Sequence, residues 1–317
     1  MIVATLDPSI VITVRSRTPL LYATGEDSRE DRPAFVRAAS AIARWGEQLM
    51  VVQDDANWLA SIDARGQVHP IALPRGEGDV RLFDDTRGNK HHKLDLEACT
   101  VVSVGERQVF LAFGSGSTAE REQVVMLDEQ GQRMVTAHAL YRSLRKRADF
   151  SGSELNLEGA VAIGDEVVLF NRGNGARTEL RGPMNATCRI GAEALVQYLD
   201  DVSRPSPAVE RVCAYELGVV DGTRLTFTDA ARFGDRLVYV AAAEASPDAV
   251  QDGPVAGVAI GVLDHAPRYG LVREANGDLV CAKIEGLIHD RGRWLAVVDS
   301  DDATRPAELL ELEVLGL

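Results

Sequence analysis

Three observations predict an all-β fold built from repeats. Apolar runs of four to eight residues recur between turns rich in Gly and Asp, the pattern of short strands. A unit of acidic residue, strand, polar turn and second strand returns along the chain, and each return leaves room for about two further strands. Four strands per unit, set radially, is the signature of a β-propeller. The expectation is therefore one all-β domain over 1–317: a single β-propeller of five blades, with cores near 39–74, 96–141, 157–217, 228–274 and 284–317. Six blades is the alternative count, and a β-sandwich of similar strand content is the alternative fold.

The clearest unit is KIEGLIHDRGRWLAVVDSDD, Lys283 to Asp302. A strand from Glu285 to His289 precedes the turn Asp290 to Arg293. A second strand, Trp294 to Val298, runs into the acidic loop Asp299 to Asp302. Its variants are ASAIARWGEQLMVVQDDAN from Ala39, LEACTVVSVGERQVFLAFGSGS from Leu96, LEGAVAIGDEVVLFNRGN from Leu157 and TDAARFGDRLVYVAAAEA from Thr228. They align Ser40, Glu97, Glu158, Asp229 and Glu285, spaced by 57, 61, 71 and 56 residues. Later strands of the units read as WLASID and QVHPIAL, EQVVMLD and QRMVTAHAL, RVCAYELG, and VAGVAIGVLD with YGLVREA. The last unit has only three, ending in LLELEVLGL, while Ile10 to Ser16 is a strand without a unit. Pairing the two ends would complete a blade and cover an edge.

Between the units lie charged connections. Pro74 to Asp95 is long and carries Arg87, Lys90, His91, His92 and Lys93 just ahead of Glu97. The basic run YRSLRKRADFSGSELN leads to the third unit, with Glu154 and Asn156 before Glu158 and Asn171, Arg172 and Asn174 after its second strand. A Pro-rich loop holds Pro205 and Pro207, and EASPDAVQDGPVAG reads as a mobile hairpin loop.

Lys and Arg total 34 against 48 Asp and Glu, a formal charge of −14. That balance argues against nucleic acid and anionic membrane surfaces as partners and is compatible with cations. The N-terminus lacks a basic region before an apolar core, and no stretch approaches transmembrane length, so a cytoplasmic protein is expected. Cys99, Cys188, Cys213 and Cys281 are widely spaced, with no CxxC or Cys/His metal spacing, and are expected as buried reduced thiols, with disulfides of a secreted form as the alternative. GxSxG, P-loop, HExxH and strand-borne GxGxxG motifs are all missing.

The first strand of each propeller blade lines the central channel, so equivalent residues form a ring. Four carboxylates at Glu97, Glu158, Asp229 and Glu285 would raise one another's pKa unless a cation joins them. Oxygen ligands from several segments suit Ca²⁺ or Mg²⁺, with Asp54 and Asp299 as a second tier. Solvation, or pairing with Lys93, Arg172 and Lys283, is the plainer role for such acids. The run Lys90 to Lys93 is either a solvated loop or an anion clamp, with His91 or His92 as general acid. Asp299 to Asp302 lacks the Gly and Glu that complete an EF-hand loop and reads as a turn.

The LEG and IEG units and the closing VVDSDDATRPAELLEL resemble the phytase-like β-propellers (esterase-like activity of phytase), from about Arg37 onward. KHHKLDLEA is similar to a related group of uncharacterised bacterial propellers. The resemblance implies calcium on Glu97, Glu158, Asp229 and Glu285, and phosphate held by Lys90, Lys93, Arg172 and Lys283. The chain departs from true phytases in lacking their denser acidic calcium loops. The functional expectation is a divalent-metal-dependent hydrolase acting on a small anionic substrate, a phosphoester first, at the channel mouth. A lactonase variant would add Asn156 or Asn171 to the metal. The alternative is a non-catalytic propeller that binds a ligand or a protein partner.

Overall fold

The computed structural model describes residues 1–245 and 253–317. Two short strands, β1 (Ile2–Val3) and β2 (Thr5–Leu6), lead into β3 (Val11–Pro19). The first sheet is β4 (Ala39–Trp45), β5 (Gln48–Gln53), β6 (Trp58–Ile62) and β7 (Val68–Ala72). The second is β8 (Leu96–Val104), β9 (Arg107–Gly114), β10 (Gln123–Asp128) and β11 (Gly131–Thr136). Helices α1 (His138–Lys146) and α2 (Ala148–Ser151) connect it to the third. That sheet has β12 (Leu157–Ile163), β13 (Glu166–Asn171) and β14 (Asn185–Gly191), then α3 (Ala192–Asp200) before β15 (Glu210–Glu216). A hairpin, β16 (Val219–Val220) and β17 (Thr223–Arg224), precedes β18 (Thr226–Phe233), β19 (Arg236–Glu244), β20 (Val255–Leu263) and β21 (Arg268–Arg273). The last strands are β22 (Lys283–Asp290), β23 (Arg293–Asp299) and β24 (Glu308–Leu315).

Within each unit the strands pair antiparallel in chain order. The first strands β4, β8, β12, β18 and β22 neighbour one another in a closed circle, with β22 returning to β4. This is propeller architecture, and the predicted closure is present. β3 pairs antiparallel with β24, setting Arg17 opposite Leu310, and touches β21 in parallel at Val272 and Ile12. The edge of β24 is thereby covered.

The core lies as apolar layers between neighbouring sheets. Ala41, Met50 and Val52 of the first meet Leu96, Phe110 and Ala112 of the second. Phe170 of the third stands edge-on to Phe227 of the fourth, with ring centroids 5.2 Å apart. Alternate residues of every middle strand therefore serve opposite layers, which explains the continuous apolar runs in the sequence.

Two helices depart from the strand expectation. α1 begins at His138, inside QRMVTAHAL, and buries Leu140, Tyr141 and Leu144, a helical face. α3 likewise buries Leu195, Val196, Tyr198 and Leu199. Both pack with the second and third sheets. Residues 246–252 of the expected hairpin loop lie outside the described residues. All four cysteines are free; Cys99 and Cys188 are buried, while Cys281 is exposed, against expectation. Among the described residues no helix is long and apolar enough to cross a membrane.

Candidate functional site

Each inner strand breaks its pairing register at one residue: Ser40, Glu97, Glu158, Thr228 and Glu285. A bulge of this kind frees one side chain from the alternation of the pleat and re-aims it. Of the residues aligned in the sequence, Ser40, Glu97, Glu158 and Glu285 fall on these bulges; in the fourth unit the bulge is Thr228, one residue before Asp229. Two bulge residues are hydroxyls that staple adjacent strands. Ser40 Oγ donates to the Leu96 carbonyl at 2.6 Å, and Thr228 Oγ1 to that of Ile284 at 2.7 Å. Asp229 sits one step on and accepts the Leu287 N–H at 2.7 Å. It is buried between strands and is not part of the cavity wall. The Gly of the LEG and IEG units has a steric cause. A Cβ on Gly286 would stand 3.1 Å from the Ala41 backbone, and one on Gly159 3.2 Å from the Ala230 nitrogen.

The three glutamates, Glu97, Glu158 and Glu285, open into a cavity of about 450 Å³ at one end of the channel. A second tier comes from residues 14 positions after the bulges: Asp54 beyond β5, Arg172 beyond β13, and Asp299 at the end of β23. A third comes from two positions before them: Asp95, Asn156 and Lys283. The wall holds eleven Asp and Glu residues but six Lys and Arg.

Every one of those six cations is tied to a carboxylate. Lys93 Nζ lies 2.5 Å from Asp54 and 2.6 Å from Asp95, and Arg121 is 3.0 Å from Asp95. Arg172 bridges Glu158, at 3.3 Å, and Glu244. Lys283 is 3.1 Å from Glu285 and 3.4 Å from Asp301. Arg37 joins Asp55 to Asp84, and Lys90 reaches Asp85 at 3.3 Å. Asn156 Nδ2 donates to Glu158 at 2.7 Å, while Asn171 turns its carbonyl to the Asn156 N–H.

Glu97 differs. Its carboxylate lies within 4.8 Å of those of Asp54 and Asp95, yet among the described residues it has no hydrogen bond or ion pair. It is only 9% exposed and faces the cavity. Burial, then the charges of Asp54, Asp95, Glu158 and Glu285, pushes its pKa well up. Burial also raises Glu158, to about 7 against the pull of Arg172 and Lys283, and raises Glu285 and Asp299 well above the usual range. Asp55 is likewise lifted by burial and by Asp54, to about 7. Asp95 is the exception, because Lys93 and Arg121 outweigh its burial and lower it.

The expected histidines divide. Lys90–His92 forms one short helical turn. His91 reaches the cavity rim, whereas His92 turns to Glu77 at 3.1 Å. Asp95, Arg121, Arg37, Asp55 and Asp84 were not foreseen as site residues. Asp95 carried one usable signal, since it precedes Glu97 by the same two residues that separate Asn156 from Glu158.

Asp54, Asp95 and Glu97 are an oxygen-only set of the kind that suits Ca²⁺ or Mg²⁺. Their fit to a metal is incomplete, because the Lys93 ammonium already lies between the first two.

Fold and site together define a propeller protein with a carboxyl-lined channel mouth. The chain belongs to a family of unknown function, DUF6929, whose model matches residues 35–314. No curated protein matches it. Among solved structures it is similar to a streptogramin B lyase, at 10% identity and TM-score 0.40 over 96% of this chain and 98% of that one. It is also similar to an exo-1,5-alpha-L-arabinanase from a bovine ruminal metagenomic library, at 9% identity and TM-score 0.43 over 90% and 94%. A third is the N-terminal domain of Nup159, at 7% identity and TM-score 0.35 over 99% and 98%.

Proposed function

We propose that the chain is a five-bladed propeller hydrolase that works on a small substrate in this funnel, with Glu97 as its acid–base group. Five four-stranded units whose inner strands close a circle support the blade count. The chemistry is carried by one observation: a buried carboxyl, without a partner, faces a polar cavity of substrate size. Burial and the surrounding acids raise the proton affinity of Glu97, which suits it to exchange a proton with a bound substrate. Glu158, titrating at about 7, is suited to take a proton from water. Arg172 and Asn156 fix the orientation of Glu158. The test is a screen of esters, glycosides and phosphoesters with the wild-type chain, Glu97→Gln and Glu158→Gln. Turnover that falls by about 10²–10⁴-fold in either variant is the expected result. Turnover indifferent to both, or none at all, leaves a ligand-binding or interaction scaffold.

A metal-dependent version is favoured by the closeness of Asp54, Asp95 and Glu97. Ca²⁺ or Mg²⁺ there would polarise water and bridge a small anionic substrate, the role the phytase-like resemblance implies. It would have to displace Lys93. Metal content of the purified chain, with thermal unfolding after chelator and after added Ca²⁺, decides between the two.

A further inference from the structure

We infer that the funnel recognises a small organic cation, a substrate bearing a primary ammonium or guanidinium group that docks on Glu97. The inference rests on the funnel being the working site and assigns its substrate class. The wall carries eleven carboxyl residues against six cations, and each of those cations is already engaged by a carboxylate. An incoming anion therefore meets no unengaged cation and a wall with more carboxyl groups than cations. An incoming cation meets Glu97, buried and without a partner. The molecule shows which cation the cage accepts: the Lys93 ammonium sits 2.5 and 2.6 Å from Asp54 and Asp95. A second ammonium beside it would use the face of the acidic trio that Lys93 leaves open.

A bare divalent ion fits less well. It needs about six oxygen ligands at 2.0–2.6 Å, and Lys93 occupies the Asp54–Asp95 edge. The cavity, about 450 Å³, is also of a size for an organic molecule. Charged groups facing Glu97 are Asp54, Asp95, Glu158, Glu285 and Lys93.

Titration calorimetry on the full chain tests this with D-glucosamine and 1,4-diaminobutane, against D-glucose, inorganic phosphate and Ca²⁺. The amines should bind with a Kd on the order of 1 mM or tighter. Glu97→Gln should weaken them by about tenfold or more while its thermal midpoint stays level or rises. D-glucose binding as well as D-glucosamine overturns the inference. So do phosphate binding more tightly than the amines, Ca²⁺ displacing them, and no amine heat up to about 20 mM. Amine binding without turnover of any substrate class sinks the hydrolase and leaves the cation site. Turnover without amine preference does the reverse.

Discussion

Arg172 holds two buried carboxylates, Glu158 and Glu244, and is itself only 4% exposed. Desolvating three charges is costly, and only their mutual attraction and hydrogen bonds repay it. Removing the guanidinium alone is therefore worse than removing the set. Arg172→Met should cost about 3–5 kcal/mol, read from the denaturant midpoint at pH 7.5. Part of that loss should return at pH 5, where the stranded carboxyls take up protons. A variant as stable as wild type at both pH values would show that the pair is solvated in solution. Glu97 is the opposite case: neutralising it removes a charge and breaks no bond.

The inner strands are coupled by the residues at and beside their bulges. Ser40 and Thr228 donate to the next strand, and Asp229 takes up the Leu287 N–H. Asp229→Asn, which keeps an acceptor there, should leave ligand binding unchanged and stability within about 1 kcal/mol. Asp229→Ala strands a buried N–H and should cost about 1–3 kcal/mol in thermal or chemical unfolding. Loss of binding in the Asn variant would instead return Asp229 to the site. The same positions explain what was legible in the sequence. The repeat, the strand pairs and Glu97, Glu158 and Glu285 were readable, because the bulge recurs at one place in a strongly patterned unit. Thr228-Asp229 misled the alignment because the acid looks like its counterparts, while the bulge there carries a hydroxyl, as at Ser40. Lys93 and Arg172 were legible as cations. Pairing of the ring acids with Lys93, Arg172 and Lys283 was a weighed alternative: Arg172 does pair with Glu158 and Lys283 with Glu285, whereas Lys93 pairs with Asp54 and Asp95 instead of Glu97. Arg37, Asp84 and Arg121 come from connections with no repeat to align, and only the folded chain brings them together. α1 was missed because its first residues, at the end of QRMVTAHAL, read as the close of a short strand, and α3 lies in a stretch for which no element was expected.

At the scale of the whole molecule, the inner strands β4, β8, β12, β18 and β22 contact one another in a circle and bring a crowd of acids together. The cost falls on stability as a function of pH. Glu97, Glu158, Asp229, Glu285, Asp299 and Asp55 all have folded pKa values raised chiefly by burial, with Glu158 and Asp55 at about 7. Between about pH 4.5 and 7 the folded chain holds protons that the unfolded chain has released, so stability falls as pH rises through that window. Asp95, Asp128 and Asp200, paired with Lys or Arg, are lowered, and their contribution is lost as pH falls below about 4. The maximum should therefore lie at about pH 4–4.5, with the thermal midpoint declining towards pH 8. Glu97→Gln should flatten that decline and raise the midpoint at pH 8 by about 2 °C or more. A saturating cation should act in the same direction on the wild-type chain, because it supplies the charge that the ring lacks. A thermal midpoint level from pH 5 to pH 8 would mean that water reaches these carboxyls freely, and the funnel would lose its claim to proton chemistry.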